Sequence, residues 1–307
     1  MWNILSDALR GPAQARAAHR QALRHAPSVA AGVRQLQALC PADATDDPEA
    51  PIFLLSAGWR SGSTMLQRLL MSDPGVLIWG EPYDECGLIQ AVAEGAKAFR
   101  PGWPPREYFY DGTPPDQLTG EWIANLFPAL DDWRRGQRAL FDTMFAQPAR
   151  RAGARRWGIK EVRLTSDHAL FLRWLYPRAK FLLLYRDPLE AYRSYSAFGR
   201  SWYDTFPDRP VFTPTQFGRH WRQLMEGYRR DAAELGALLV KYEDLVSGGI
   251  STATLDAYLG IAIDPGVISR KVGSSEKGGK KVSVNRLERY LLQRAVGQVA
   301  RELGYLA

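Results

Sequence analysis

The 307-residue chain is poor in the residues that build disulfide frameworks and metal centres. It contains two cysteines, Cys40 and Cys86, and four histidines. Two cysteines are too few for a disulfide framework or a cysteine-based zinc site. We therefore expect a reducing, cytoplasmic setting and chemistry without a metal.

Long apolar segments are also missing from the sequence. No run approaches the roughly 18 apolar residues that span a membrane, and the N-terminus lacks a signal-type stretch followed by a cleavage site. We therefore expect neither a secreted nor a membrane-spanning protein. The hydrophobic fraction of 46% nevertheless suffices for a substantial core, which excludes wholesale disorder.

Lysine is scarce although the chain is basic. Lysine and arginine number 40 against 33 acidic residues, a formal charge of +7, and only 8 of the 40 are lysines. The planar fork of arginine suits phosphate and sulfate oxygens, but a GC-rich genome would give the same enrichment. The charge permits anionic partners without specifying one.

The N-terminal part of the chain differs in composition from the rest. Residues 1–40 are predicted to be a mostly helical, arginine-rich leader, and residues 41–50 an acidic, proline-containing linker. The leader fits a helix packed on the main domain, and it also fits a helix at a membrane surface. We expect residues 1–50 to be an appended segment and 51–307 a single domain.

Short apolar runs alternate with helical patterns after residue 50. Strands are predicted at 51–57, 76–79, 157–160, 180–185 and 238–242, and helices at 65–71, 215–234 and 285–303. This alternation predicts an α/β fold with a mainly parallel sheet and helices on both faces. Such sheets bind ligands at the carboxyl ends of their strands.

The loop after the first strand has the composition of an anion site. It reads Gly58-Trp59-Arg60-Ser61-Gly62-Ser63-Thr64 and leads into a helix, so backbone N–H groups can surround a phosphate. Nucleotide hydrolases require G-x-x-x-x-G-K-S/T. Here the glycine spacing is one residue short and serine replaces the lysine, which disfavours an ATPase or GTPase. A plain turn capping a helix remains the alternative.

Residues 60–64 resemble the 5′-phosphosulfate loop of the sulfotransferases that use 3′-phosphoadenosine 5′-phosphosulfate (PAPS). The R-S-G-S-S/T form is similar to the carbohydrate and bacterial branches, whereas the cytosolic branch carries lysine at the position of Arg60. The frequent proline before it is Trp59 here, a tolerable departure because proline donates no N–H group. The resemblance implies a P-loop NTPase-like fold. It also implies a donor site made by Arg60, Ser61, Gly62, Ser63 and Thr64.

Further segments resemble the same family in the same order. Tyr185-Arg186-Asp187-Pro188 with Ser194 resembles its 3′-phosphate motif, which implies that Arg186 and Ser194 hold that phosphate. Residues 157–160 resemble a strand end whose lysine, Lys160, assists the transferring group. Residues 241–245 resemble a Y-E-D-L segment, whose carboxylates we expect to hold neighbouring loops or arginines. Residues 276–281 echo a glycine-rich lysine motif only loosely, so Lys280 belongs either to a basic lid or to a solvated loop.

The candidate general base is Glu81 in Trp79-Gly80-Glu81-Pro82, which resembles the acidic-base pattern of carbohydrate sulfotransferases. Asp84 and Glu85 are nearby substitutes. The alternative is a carboxylate paired with Arg60 or another cofactor arginine. Histidine, the base of the cytosolic branch, has no matching context: two of the four lie in the leader and two, His168 and His220, in predicted helices.

The resemblance implies transfer of a sulfuryl group from PAPS to an acceptor hydroxyl or amine, with adenosine 3′,5′-bisphosphate (PAP) leaving. Small-molecule, lipid, carbohydrate and peptide acceptors all remain open, and no nucleic-acid partner is expected. The aromatic residues at 99–110 and 198–212 could line an acceptor pocket or form the core of an insertion. Two alternatives are a P-loop phosphotransferase and a non-catalytic protein that binds anions or nucleic acid.

Overall fold

The computed structural model describes residues 27–42, 50–83, 86–120, 122–197, 211–250, 252–269 and 283–306. Five parts of the sequence-based predictions lie outside these residues: most of the leader, most of the acidic linker, Asp84 and Glu85, the aromatic residues at 198–210, and Lys280.

A five-stranded sheet forms the centre of the described fold. Its strands, in chain order β1 to β5, are Ile52–Ser56, Val76–Gly80, Arg156–Glu161, Lys180–Tyr185 and Leu238–Lys241. Every neighbouring pair is parallel, and the order is β2-β3-β1-β4-β5. The predicted parallel sheet is confirmed. With β1 in the middle, the chain crosses to either side of it, and ligands bind α/β sheets at such a switch point.

Both faces of the sheet are covered, as predicted. Along β1, Phe53 and Leu55 point into one apolar cluster, whereas Ile52 and Leu54 point into another. All four side chains are fully buried, and burial of one such side chain contributes about 1.5–3 kcal/mol. The alternation of a strand thus gives each face its own hydrophobic core.

The described helices, α1 to α12, surround this sheet. They are Val29–Leu39, Ser63–Leu70, Leu88–Glu94, Leu130–Phe141, Gln147–Arg151, Ser166–Leu175, Pro188–Ala197, Pro214–Asp231, Tyr242–Ser247, Thr252–Leu259, Gly266–Ser269 and Arg286–Glu302. The predicted helices at 65–71, 215–234 and 285–303 correspond to α2, α8 and α12. Capping boxes at Thr213 and Asn285 fix where α8 and α12 begin.

Helix α1 packs into the core that α6 and α8 share. Its residues Val33 and Leu36 are fully buried. Gly32 lies so close to residues 95–98 that an added Cβ would come within 1.9 Å of the Ala96 carbonyl oxygen. The described part of the predicted leader is therefore a packed helix. Within the described residues, no helix is long and apolar enough to cross a membrane.

The aromatic residues at 99–110 pack largely against other aromatic rings. Phe99 is buried against Trp133 of α4, with ring centroids 5.4 Å apart, and Trp103 meets Tyr108 edge-on at 5.7 Å. Phe99 therefore belongs to the core, whereas Trp103 and Tyr110 are exposed.

Candidate active site

The loop between β1 and α2 has an alternating backbone. Gly58, Arg60 and Gly62 have φ angles of 82°, 61° and 90°, whereas Trp59 and Ser61 have no positive φ. Alternation of this kind turns successive N–H groups towards one concavity, which is a nest for an anion. Glycine adopts such angles freely, but Arg60 is held there at a cost of order 1–3 kcal/mol.

The floor of this loop contains an unpaired hydroxyl. Ser61 is 1% exposed, and its Oγ is buried without a hydrogen-bond partner. No side chain caps the N-terminus of α2, which begins directly after Gly62. A buried hydroxyl without a partner costs about 1–3 kcal/mol. A bound anion would supply the missing acceptor, so the loop fits a phosphate or phosphosulfate group.

Side chains from distant parts of the chain pack against the loop. The Trp59 ring stacks on His220 of α8, with centroids 5.0 Å apart. Gly62 lies against Tyr242 of α9, where an added Cβ would come within 2.3 Å of the ring. His220 could not be recognised from the sequence, because a lone histidine in a helix has no characteristic spacing. Tyr242 belongs to the Y-E-D-L segment that we expected to be structural.

The predicted 5′ and 3′ motifs meet in space. Arg60 Nε donates a hydrogen bond to Ser194 Oγ at 2.9 Å. Arg186 Nη1 donates to the Arg60 carbonyl oxygen at 3.1 Å, and its guanidinium lies 4.6 Å from the Tyr242 ring centroid. The loop after β1, the loop after β4 and helix α7 therefore place two arginines and a serine at one point. Such a cation–π contact adds about 0.5–2 kcal/mol.

Asp187 caps the helix that carries Ser194. Its Oδ1 accepts hydrogen bonds from the N–H groups of Leu189 at 2.7 Å and Glu190 at 3.4 Å. Burial raises the pKa of Asp187, and these two amides oppose that rise. Glu243 of the Y-E-D-L segment accepts from the Asp187 N–H at 2.9 Å. The expectation that a carboxylate of this segment holds a neighbouring loop is confirmed.

On the other side of β1, the predicted base and lysine form an ion pair. Lys160 at the end of β3 is 5% exposed, and its Nζ donates to Glu81 Oε1. The Glu81 N–H in turn donates to the Lys160 carbonyl oxygen at 2.7 Å. The carboxylate is thus ion-paired with Lys160, and not with an arginine as in the alternative raised above.

The backbone around Glu81 is strained. Glu81 and Tyr83 have φ angles of 33° and 58°, and with Arg60 they are the non-glycine residues of the described chain that have positive φ. Such conformations persist where the surrounding structure enforces them, and they concentrate at functional sites. Tyr83 is 60% exposed, and its ring packs against Phe145 with a centroid distance of 6.5 Å.

A second buried ion pair follows directly after Lys160. Glu161 and Arg163 are joined by two hydrogen bonds of 2.9 Å, and both side chains are almost fully buried. Burial raises the pKa of Glu161, and the guanidinium of Arg163 opposes that rise. Because successive residues of a strand point to opposite faces, the Glu161 side chain points away from Lys160 and Glu81.

Each of the five strands contributes to this site at its carboxyl end. Glu81 follows β2, Lys160 lies at the end of β3, and the anion loop follows β1. Arg186 follows β4, and Tyr242 follows β5. Within the described parts of the chain, no three His, Cys, Asp or Glu residues are grouped so that they could hold a metal ion.

A family model described as Sulfotransferase family matches residues 51–265. Among curated proteins, none matches this chain. Similar solved structures include the sulfotransferase domain of a Synechococcus olefin synthase, with 17% identity, coverage of 87% of this chain and 99% of that one, and a TM-score of 0.46. A sulfotransferase from Alicyclobacillus acidocaldarius has 18% identity, coverage of 82% and 94%, and a TM-score of 0.45. A mouse sulfotransferase complexed with PAP has 15% identity, coverage of 89% and 84%, and a TM-score of 0.38.

Proposed function

The chain belongs to the sulfotransferase family and is an enzyme of sulfuryl transfer, and on this premise we propose that its donor is PAPS and its general base Glu81. The observation that carries the donor assignment is the meeting of Arg60, Ser194 and Arg186 above the anion loop. The alternatives raised by the sequence, a phosphotransferase and a non-catalytic anion-binding protein, are set aside by the family.

The donor would be held at its two charged ends. Arg60 and residues 61–64 bind the 5′-phosphosulfate, since this loop offers converging N–H groups and the unpaired Ser61 hydroxyl. Arg186 and Ser194 bind the 3′-phosphate, and a planar guanidinium suits phosphate oxygens geometrically. Lys280, which lies outside the described residues, is proposed as a further cofactor contact.

The other half of the site carries out the chemistry. Bound in this site, PAPS would supply an activated sulfuryl group with PAP as the leaving group. Glu81 accepts the proton of the acceptor as the acceptor atom bonds to sulfur and the bridging oxygen keeps the electron pair of the broken bond. Lys160 leaves its ion pair with Glu81, donates a hydrogen bond to the bridging oxygen instead, and stabilises the negative charge that develops there. No metal is required in this scheme.

The acceptor belongs to the small-molecule, lipid, carbohydrate or peptide classes. Tyr83 is exposed beside Glu81 and offers a ring surface to an apolar or sugar acceptor. The proposed setting is reducing and cytoplasmic, because two cysteines are too few for a disulfide framework. The proposed peripheral membrane contact rests on the leader, whose first 26 residues lie outside the described chain.

Calorimetry with PAP tests the donor assignment directly. Arg186→Ala should weaken PAP binding about 10- to 100-fold, because hydrogen bonds to charged groups are worth about 1.5–3 kcal/mol each. Arg193→Ala is the matched control, since Arg193 lies on α7, the helix that follows Arg186, and forms an exposed ion pair with Glu190. Unchanged PAP affinity in Arg186→Ala would contradict the assignment. Mass spectrometry of an acceptor panel incubated with PAPS then identifies the sulfated product.

A further inference from the structure

The peptide unit between Arg186 and Asp187 is held at both of its polar atoms. Its carbonyl oxygen, on Arg186, accepts a hydrogen bond from Trp221 Nε1 at 3.2 Å. Its N–H, on Asp187, donates to Glu243 Oε1 at 2.9 Å. Because the peptide unit is planar, these two bonds fix the plane from which the Arg186 side chain extends.

One residue near the C-terminus contacts both of these partners. The Tyr305 hydroxyl donates to Glu243 Oε2 at 2.8 Å, and its ring meets Trp221 edge-on at a centroid distance of 6.3 Å. The ring also meets Tyr185 edge-on at 6.3 Å, and Lys241 Nζ lies 4.8 Å from its centroid. Tyr305 therefore lies behind the loop that carries Arg186 and contacts four elements around it, β4, β5, α8 and α9.

The chemistry of the Tyr305 hydroxyl suits a fixed donor. Burial and the hydrogen bond to Glu243 raise the pKa of Tyr305, so the hydroxyl keeps its proton at neutral pH. A neutral donor to one carboxylate oxygen leaves the other oxygen of Glu243 directed at the Asp187 N–H. Rotation of Glu243 would break both hydrogen bonds at once.

We propose that Tyr305 is a positioning residue for the 3′-phosphate site, acting on the Arg186–Asp187 peptide through Glu243 and Trp221. The proposal rests on the proposed function of Arg186 and assigns a role to a residue outside every motif of the sequence. It predicts selectivity: loss of Tyr305 affects recognition of the 3′-phosphate and spares recognition of the 5′-phosphate. A residue that only fills the core would affect both phosphates equally.

The test compares two probes that differ in the 3′-phosphate alone. Calorimetry is run with PAP and with adenosine 5′-monophosphate on the wild type, Tyr305→Phe, Glu243→Ala and the double variant. Tyr305→Phe should weaken PAP binding about three- to tenfold, the effect of one hydrogen bond, and should change binding of the monophosphate less than about twofold. The double variant should be no worse than Glu243→Ala alone, because the hydroxyl acts through that carboxylate.

Tyr290→Phe is the matched control, because Tyr290 lies on α12 and is 56% exposed; it should leave both affinities unchanged. Unchanged PAP binding in Tyr305→Phe, equal losses for the two probes, or additive losses in the double variant would each overturn the proposal. Thermal unfolding checks that each variant folds, and Glu243→Ala applies the same test if Tyr305→Phe does not. A wild type that binds PAP no better than the monophosphate would contradict the proposed function itself.

Discussion

The two sides of the central strand β1 hold their charged residues in different ways. On the β4–β5 side, Arg186 has its backbone fixed by Trp221 and Glu243 and its guanidinium stacked on Tyr242. On the β2–β3 side, Glu81 and Lys160 bond to each other, and Glu81 has a backbone in the left-handed region.

The β4–β5 side, called here the donor side, is preorganised. The β2–β3 side, called here the acceptor side, must rearrange before its charged groups can act. Side chains fixed before binding reduce the entropic cost of binding a ligand, which suits a donor that every turnover uses. The ion pair between Glu81 and Lys160 must open before either group can act on a substrate. In the proposed mechanism, binding of the donor would give Lys160 its new partner and would thereby release Glu81 to act as the base.

The largest expected effect is a loss of turnover, and it comes from a substitution on the acceptor side. Glu81→Gln keeps the size of the side chain but removes the base, so turnover should fall at least about 100-fold. PAP affinity should stay within about twofold of the wild type, since the donor loop is intact. Glu226→Gln, an exposed ion-paired glutamate on α8, is the control. Near-normal turnover of Glu81→Gln, measured with PAPS and an identified acceptor, would exclude it as the base.

The next largest expected effect is a loss of PAP affinity, caused by a substitution in the anion loop of the donor side. Gly62→Ala puts a methyl group within 2.3 Å of the Tyr242 ring at a φ of 90°, so both the loop and the ring beneath Arg186 must shift. We expect PAP binding to weaken at least about tenfold, because charge-assisted contacts are lost. Calorimetry with PAP measures this change.

Gly153→Ala is the matched control for backbone strain. Gly153 has a φ of 87° and nothing within 4 Å of an added Cβ, so it bears the same left-handed penalty of about 1–2 kcal/mol without the clash. It should lose stability and keep its PAP affinity. Equal PAP affinities for the two variants would mean that the packing of Gly62 on Tyr242 does not organise the donor side.

The smallest effect on the site is expected from the opposite edge of the sheet. Asp73, which is buried, accepts from the N–H groups of Gly75 at 2.7 Å and Ala262 at 2.9 Å. Asp73→Asn should lower the free energy of unfolding by about 1–3 kcal/mol. PAP affinity should not change, because both halves of the site lie at the carboxyl edge. Denaturant unfolding and calorimetry measure the two quantities.

The stability that Asp73 contributes also depends on pH. The two backbone N–H groups lower the pKa of Asp73 below its ordinary value of 3.8. Its stabilising contribution is therefore complete above about pH 4 and is lost as the pH falls through the lower folded-state pKa. The wild type should thus lose more stability than Asp73→Asn between pH 5 and strongly acidic conditions. An equal loss in both proteins would contradict this account.

The sequence predicted the strands and the loop of the donor site because their signals are local. Apolar runs such as Lys180–Tyr185 predict buried strands, and the glycines at 58 and 62 predict a loop whose backbone N–H groups can surround an anion. The parallel order also places strand ends at one edge, so Arg60, Lys160 and Arg186 could be expected near one another before any coordinates were known.

The remaining contacts could not be predicted because they depend on packing between distant elements. His220 stacks on Trp59 and Tyr305 bonds to Glu243 only because α8 and α12 dock beside the same loop. The pairing of Glu81 with Lys160 has the same origin, since it requires β2 and β3 to be neighbours in the sheet. Neither helix docking nor strand order has a spacing that can be recognised in one sequence.

Helix α1 shows that this chain's core extends beyond the residues that the family model matches. The family match begins at residue 51, whereas Val33 and Leu36 are completely buried in the same cluster as Phe53 of β1. Gly32 permits this close docking, because any side chain would meet the Ala96 carbonyl group. A shortened protein that begins at Pro51 would expose that apolar surface to water, so the folding unit is larger than the range of the family model.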